Sequence, residues 1–403
     1  MNEWRKVKLR EIGEITSSKR IFRAEYKKVG VPFYRGKEII QKANNQEVSD
    51  EFFISLEKYE EIKNKYSVPL ENDILITSVG TVGIPYIVKN EKFYFKDGNI
   101  NWIKKYANNI YFKYLYYWFI SPIGKNQIDS YLIGSTQKAL TIEAIKKLEI
   151  NLPPLNTQKK IAKILSDIDS KVELNNTINN NLEEQIQVLF SKWLSNNFKF
   201  SNKVTLEEVC SKITDGSHFS PKDNSLSSIP MLSVKDMEKF DFNLKSCKHI
   251  SETDYQKMLM NDCVPKINDI LVAKDGSYLK EIFICNEERR IAILSSIAIF
   301  RPNLKKIYPE ILLAFLKSPN LLKEVRDNYV SGSALPRIVL RDFKKLSFYL
   351  PSIEIQSEIS SLFYSIRKQI AKNIMENEKL INLKNYLLPK LMNGEIDVEK
   401  IEL

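Results

Sequence analysis

Two stretches of the chain place apolar side chains on a heptad. Ile161, Leu165, Ile168, Val172, Asn175, Asn179, Leu182, Ile186 and Leu189 alternate steps of four and three. Ile359, Phe363, Ile366, Ile370, Asn373, Asn377, Leu380, Lys384 and Leu387 keep the same steps 198 positions later (359 minus 161). A period of 3.5 makes a narrow stripe that needs a partner helix. Residues 156–194 contain neither Gly nor Pro, and 354–392 contain no Gly and a single Pro, Pro389. The pattern predicts a first long helix over 156–196, and a second over 354–403 that includes a C-terminal tail. Two equal seams in one chain predict mutual pairing. The first helix carries the chain onward and the second must run back, so the pair is antiparallel. Residue i then faces residue 552 minus i, and Asn175 and Asn179 are expected to meet Asn377 and Asn373. Some 36 residues at about 1.5 Å each make a rod of roughly 54 Å.

Outside these stretches the period shortens. Runs such as "NDILITSV", "IPYIV" and "EIFIC" read as strands, punctuated by Gly, Pro, Asn and Asp. The expected fold is α+β: two similar globular domains, 1–155 and 197–353, separated by an antiparallel two-helix coiled coil in a dumbbell with a pseudo-two-fold internal repeat.

The repeat extends beyond the helices. "LPPLNTQKKIAKIL" (152–165) recurs as "LPSIEIQSEISSLF" (350–363), and Gly134-Ser135 as Gly332-Ser333. "YFKYLYYWFISP" (111–122) matches "YPEILLAFLKSP" (308–319) at a lag of 197. "NDILITSVG" (72–80) matches "NDILVAKDG" (268–276) at 196, and "VPFYRGKEI" (31–39) matches "IPMLSVKDM" (229–237) at 198. Loop insertions produce such small changes of lag. A unit of nearly 200 residues is a duplicated domain and far longer than a solenoid repeat.

Charge narrows the partners. The net charge is +11 and the pI about 9.1, which makes a polyanion the default suspect. The start "MNEWRKVKLR" has no apolar signal core, and the most apolar run, 111–120, carries Lys113 and is far short of a membrane span. A cytoplasmic location is expected. Cys210, Cys247, Cys263 and Cys285 form no CxxC pair and read as thiols, outside any disulfide frame or zinc site.

A catalytic centre is missing. Two histidines, His218 and His249, are too few for most metal clusters or relays. "GVPFYRGKE" (30–38) has five residues between its glycines and Glu38 where a phosphate loop needs Ser or Thr. "SVGTVG" (78–83) lacks dinucleotide spacing. No metal site and no catalytic residue is expected.

Several stretches suit nucleic acid instead. "SSKRIFRAEYKK" (17–28) packs cations beside Phe22 and Tyr26, "KFYFKDGNINWIKKY" (92–106) interleaves Lys with aromatics, and "ITDGSHFSPKDN" (213–224) is a polar loop. Lysines neutralise phosphates, whereas Arg, Asn, Gln and Ser also reach base edges. Candidate DNA-facing residues in the first copy are Lys19, Arg20, Arg23, Arg35, Lys37, Ser78, Thr81, Lys96, Lys104, Lys105, Ser135, Gln137 and Lys138. In the second copy they are His218, Lys222, Lys235, Lys274, Ser277, Lys280, Ser333 and Arg337.

The ordered set "GSTQKALT…LPPLNTQKKIAKIL" and "GSALPRIV…LPSIEIQSEISSLF", with the NDIL turn and "ITDGSH", resembles the specificity subunit of Type I restriction–modification systems. The likeness covers essentially the whole chain. It implies a non-catalytic reader of double-stranded DNA in which each domain takes one half of a split, asymmetric site. It further implies two docked methyltransferase subunits and separate restriction, or motor, subunits. S-adenosylmethionine, ATP and Mg²⁺ would belong to those partners and not to this chain. Unit one has "ITSSKR" (15–20) in place of "ITDGSH". A structural coiled-coil adaptor is the main alternative, distinguished by specific DNA binding that survives moderate salt. A single-chain methyltransferase or nuclease would have to bind S-adenosylmethionine or carry the missing motifs.

Overall fold

A computed structural model describes residues 4–48, 52–134, 138–224, 226–245, 247–275, 279–329 and 338–401. The chain divides into two compact units, Met1–Glu173 with Asn377–Leu403, and Leu174–Glu376. The long helices span Leu155–Asn197 and Ile353–Met392, so each unit owns part of each helix.

The strands of the first unit are β1 (Arg5–Lys8), β2 (Glu14–Thr16), β3 (Val31–Tyr34), β4 (Phe52–Ile54), β5 (Ile74–Thr77), β6 (Pro85–Ile87), β7 (Tyr94–Phe95), β8 (Ile100–Lys104) and β9 (Glu149–Leu152). They form sheets ordered β2-β8-β5-β6, β4-β3-β7 and β1-β9. The second unit has β10 (Ser201–Thr205), β11 (Cys210–Asp215), β12 (Ile229–Leu232), β13 (Lys248–Ile250), β14 (Ile270–Ala273), β15 (Ile282–Ile284), β16 (Ala292–Ile293), β17 (Ile297–Pro302) and β18 (Ser347–Pro351). Its sheets, β11-β17-β14-β15, β13-β12-β16 and β10-β18, repeat the same order. β5 and β14 are internal strands with every residue buried, which is why NDIL opens an unbroken apolar run.

The repeated words are local chemistry. In NDIL, Asn72 and Asn268 adopt φ of 74° and 70°, a left-handed conformation that Asn tolerates better than most residues. Asp73 accepts from Leu70 N at 2.9 Å and Trp102 Nε1 at 2.8 Å. Asp269 accepts from Lys266 N at 2.8 Å and from both Nε and Nη2 of Arg301 at 2.8 Å. The Gln of each Leu-Pro-x-x-x-x-Gln is fully buried. Gln158 Nε2 donates to Asn109 O and Pro153 O, both at 2.8 Å, and its Oε1 accepts from Tyr111 N at 2.9 Å. Gln356 repeats the pattern with Lys306 O (3.0 Å), Pro351 O (2.9 Å) and Tyr308 N (3.2 Å). Each carboxamide ties the first turn of a long helix to the loop that enters an earlier helix of its copy, Phe112–Ile120 in the first and Pro309–Leu316 in the second. Glu38 caps a helix: it accepts from Arg35 N at 2.7 Å and pairs with the Arg35 guanidinium. A carboxylate there suits a helix start and explains why no Ser or Thr occupies that position.

The ends of each seam enter domain cores. Ile161, Ala162 and Leu165 of the first helix join Leu388, Leu391 and Met392 of the second in the core of unit one. Phe190, Trp193 and Phe363 sit in the core of unit two, with Ile359 half-buried against it. Ile168 is buried, and Leu182, Ile366 and Leu380 are half-buried. Near the middle, in unit two, Asn373 Nδ2 donates to Asn179 Oδ1 at 2.7 Å, which is the antiparallel register of 552 minus i. Asn175 Nδ2 donates to Glu376 Oε2 at 2.8 Å. Asn175 and Asn377 are both buried. In unit one, Lys384, the polar intruder in the second seam, donates to both oxygens of Asp169 at 2.6 and 2.7 Å, and Tyr117 Oη donates to the same carboxylate at 2.8 Å. Burial, reinforced by that carboxylate, raises the Tyr117 pKa well above the ordinary phenol value.

All four cysteines are unpaired and buried. Burial pushes the Cys210 thiol up to about 12 and Cys285 up to about 11. Alkylation at pH 8 is therefore expected to label none of the four rapidly in the native chain and all four in guanidinium, read by mass spectrometry. Gln158→Leu should remove the partner of three backbone groups, the buried Pro153 carbonyl among them, and cost roughly 2–4 kcal/mol in urea unfolding. Asn179→Leu alone should destabilise by about 1–2 kcal/mol, because Asn373 loses its acceptor. Adding Asn373→Leu should raise Tm above the parent by restoring an apolar seam.

Candidate nucleic-acid interface

In unit one a cleft of about 600 Å³ is lined by Arg20, Arg23, Arg35, Lys96, Phe22 and Phe52, among others. Residues far apart in sequence meet there because the loop after β2, the end of β3 and the turn after β7 converge. Arg20 Nε pairs with Asp97 at 2.9 Å. Arg35 lies over the Phe52 ring at 4.4 Å, and that stacking together with Glu38 holds its guanidinium plane. Arg23 is exposed, and Lys96 is half-buried. Lys19 lies over the Tyr66 ring at 4.6 Å. Burial raises the Tyr26 phenol, with Arg35 opposing, so its hydroxyl stays protonated at neutral pH. Fixed guanidinium planes beside aromatic faces can meet phosphate oxygens or guanine edges.

Unit two builds its first loop differently. A Cβ on Gly216 would stand 2.2 Å from Ile293 O, so only Gly permits that approach. Asp215 receives Lys274 Nζ at 2.7 Å and lies 3.3 Å from Nε2 of the exposed His218. Lys222 and Lys235 are exposed, as is Lys280, which lies 3.8 Å from Glu281.

The remaining candidates divide clearly. Lys37, Thr81, Lys105 and Lys138 are exposed. Ser78 is buried, its Oγ donating to Gly98 O at 3.0 Å. Lys104 is buried against the Trp102 ring at 3.9 Å and Glu14 at 3.4 Å, and Lys274 is buried on Asp215. These three are corrected from surface contacts to internal struts: their polar heads are engaged inside the domain. Lys105 and Lys104 hold the Glu14 carboxyl below its ordinary value. The Lys–aromatic interleaving of 92–106 is likewise a core pattern, since Phe93, Tyr94, Phe95 and Trp102 are buried. Ser135, Gln137, Ser277, Ser333 and Arg337 lie outside the described residues. Sequence reasoning missed Phe52, Asn99 and Asp97 as cleft walls, because only the fold brings them to Arg20. Among the described residues no group of three His, Cys, Asp or Glu is placed to hold a metal ion. No helix among them is long and apolar enough to cross a membrane.

The chain carries one α+β sheet order built twice, with basic loops in each copy and a long helix after each. Its sequence matches the family described as the Type I restriction modification DNA specificity domain at residues 1–184 and 200–383, and the chain belongs to that family, once per repeat. Specificity subunits are the DNA-recognising, non-catalytic components of such systems. A Haemophilus influenzae protein named as a type I restriction enzyme specificity subunit is 33% identical over 182 residues, covering 45% of this chain and 43% of that protein. The chain thus spans less than half of that relative. The type I restriction enzyme MjaIX specificity subunit of Methanocaldococcus jannaschii is 27% identical over 353 residues, covering 81% of this chain and 78% of the relative. A crystal structure of the Type I restriction–modification S subunit from M. genitalium shares the fold, with a TM-score of 0.53 at 15% identity over 96% of each chain.

If Arg23 contacts a phosphate, Arg23→Ala should weaken DNA binding similarly across sequences and reduce the salt slope by about one, measured by fluorescence anisotropy from low to physiological salt.

Proposed function

We propose that each unit reads one half of a split, asymmetric site in double-stranded DNA, while the helix pair fixes the unread spacer. The observation that carries this reading is one sheet order built twice with different loop chemistry: Arg20, Arg23 and Arg35 in the first copy, His218 and Lys222 in the second. The same framework with different donors is what two different half-sites require. One half-site gives limited discrimination, at about 1–3 kcal/mol for each good base contact. Linking two readers makes the second contact intramolecular. Two methyltransferase subunits dock around the helices and methylate adenine with S-adenosylmethionine that they bind themselves. Restriction subunits supply ATP- and Mg²⁺-dependent translocation and cleavage. The complex works in the cytoplasm.

The purified chain is expected neither to methylate nor to cut DNA, and activity should appear with partner subunits; methyl transfer by the pure chain would overturn the reading. Replacing residues 1–150 with that region of a relative should change one half of the methylated sequence and leave the other intact. Methylation sequencing decides this, and a change in both halves would exclude independent readers. Deleting residues 170–176 and 376–382, which face each other in the register, shortens each helix by about 10.5 Å. Surviving activity should then prefer a spacer about three base pairs shorter, in a library of spacer lengths.

A further inference from the structure

Strand register aligns the loops that follow β2 and β11. Ile15 pairs with Ile103, which also pairs with Ile74. Ile213 pairs with Phe300, which also pairs with Ile270. Counting onward from these matched strands sets Arg20 opposite His218, and Ser78 opposite Lys274. The first of these positions is basic and outward in both copies: the Arg20 side chain is 69% exposed and that of His218 is 79% exposed. Each meets a largely buried carboxylate. Arg20 Nε lies 2.9 Å from Asp97 Oδ2, and His218 Nε2 lies 3.3 Å from Asp215 Oδ1. The second position is buried in both copies and supports that carboxylate. Ser78 N donates to Asn99 O at 2.8 Å and its Oγ to Gly98 O at 3.0 Å, which pins the turn that carries Asp97. Lys274 Nζ grips Asp215 directly at 2.7 Å. Such a brace argues against a phosphate contact. A carboxylate beside a cation offsets the charge that attracts phosphate. A base edge is neutral, and there a donor fixed in advance binds at lower entropic cost.

Resting on the DNA-reading function above, we infer that Arg20 and His218 occupy one base-reading position, used once in each half-site, and that Arg20 takes O6 and N7 of a guanine in the major groove. The ion pair with Asp97 uses Nε, and the terminal nitrogens of the guanidinium supply the two donors. Guanine presents two acceptors in that groove, whereas adenine sets a donor beside its N7. His218 has one ring nitrogen beyond its contact with Asp215, so it makes one bond where Arg20 makes two. Asp97 and Asp215 are positioning residues, each set from behind by the buried side chain at the second position.

The test uses the full chain assembled with its methyltransferase partner, on DNA whose half-sites have been mapped by methylation sequencing, with Kd read by fluorescence anisotropy. The first domain's half-site should contain a guanine whose replacement by adenine weakens the parent about tenfold. 7-Deazaguanine, which lacks the N7 acceptor, should weaken it about threefold at the same place. Arg20→Ala should lose a similar factor on guanine DNA and nothing further when 7-deazaguanine stands there. Arg20→Lys, which keeps the charge without the fork, should also lose the guanine preference. Asp97→Asn should erode that preference, leave the second half-site read as before, and add nothing to Arg20→Ala. His218→Ala should relax one position of the second half-site alone, by a smaller factor. An Arg20→Ala loss that is equal on every sequence and lowers the salt slope by about one would make Arg20 a phosphate contact and overturn the inference. So would a first half-site without guanine, or losses from Arg20→Ala and 7-deazaguanine that multiply. An unchanged second half-site in His218→Ala would undo the shared position. Absence of any sequence-specific binding defeats instead the functional reading beneath it.

Discussion

Everything in either unit hangs on a buried carboxamide at the start of a long helix. The fully buried Gln158 and Gln356 each bond two carbonyls and one amide of the surrounding backbone. A hydrophobic contact tolerates sliding, but three directional bonds do not. The helix therefore leaves its domain at a fixed rotation. That rotation decides which residues become the seam, and the seam decides the register.

The register is then held by polar groups in an apolar stripe. Asn179 and Asn373 complete each other's hydrogen bond only when aligned, and a slip by one turn would bury both amides unpaired. Such residues cost stability and specify pairing. In unit one the same task falls to Lys384, which occupies a seam position and is neutralised by Asp169. Unit two anchors its helix halves otherwise: Glu183 of the first helix takes Lys239 at 2.9 Å and Lys317 as well, and Arg367 of the second takes Glu310 at 2.8 Å. Burial lowers the Lys317 pKa, against the pull of Glu183. The two copies preserved the attachment point and rebuilt its surroundings.

Much of this was legible in the sequence. Heptad steps located both helices and their antiparallel partnership, and the doubled NDIL marked the internal strands β5 and β14. Burial inside a domain was not legible. "INWIK" and "LVAK" end in lysines that look like surface cations, yet Lys104 and Lys274 lie inward because Glu14 reaches the first from the adjacent strand and Asp215 reaches the second across β17. Only the registers of β2 with β8, and of β11 and β14 with β17, reveal those carboxylates. The cleft was half-visible for the same reason: Arg20 and Arg23 share a loop, but Arg35, Phe52 and Lys96 arrive from three other segments.

Duplication explains the division between invariant and divergent positions within this one chain. Residues that recur at equivalent places, the Asn-Asp turn and the buried Gln, satisfy backbone groups, and backbone is the same in both copies. Residues that differ at equivalent places face loops: Arg35 against Ser233 at the capped turn, and Ser18 against Gly216 after the first sheet strand. The turn keeps its logic with different atoms, since Asp236 accepts from Ser233 N at 2.8 Å as Glu38 does from Arg35 N. In the first copy, however, the capping carboxylate also fixes a guanidinium at the mouth of the cleft, whereas a serine hydroxyl takes its place in the second. A single substitution at a conserved turn thus changes the donor offered to a ligand without disturbing the fold that presents it.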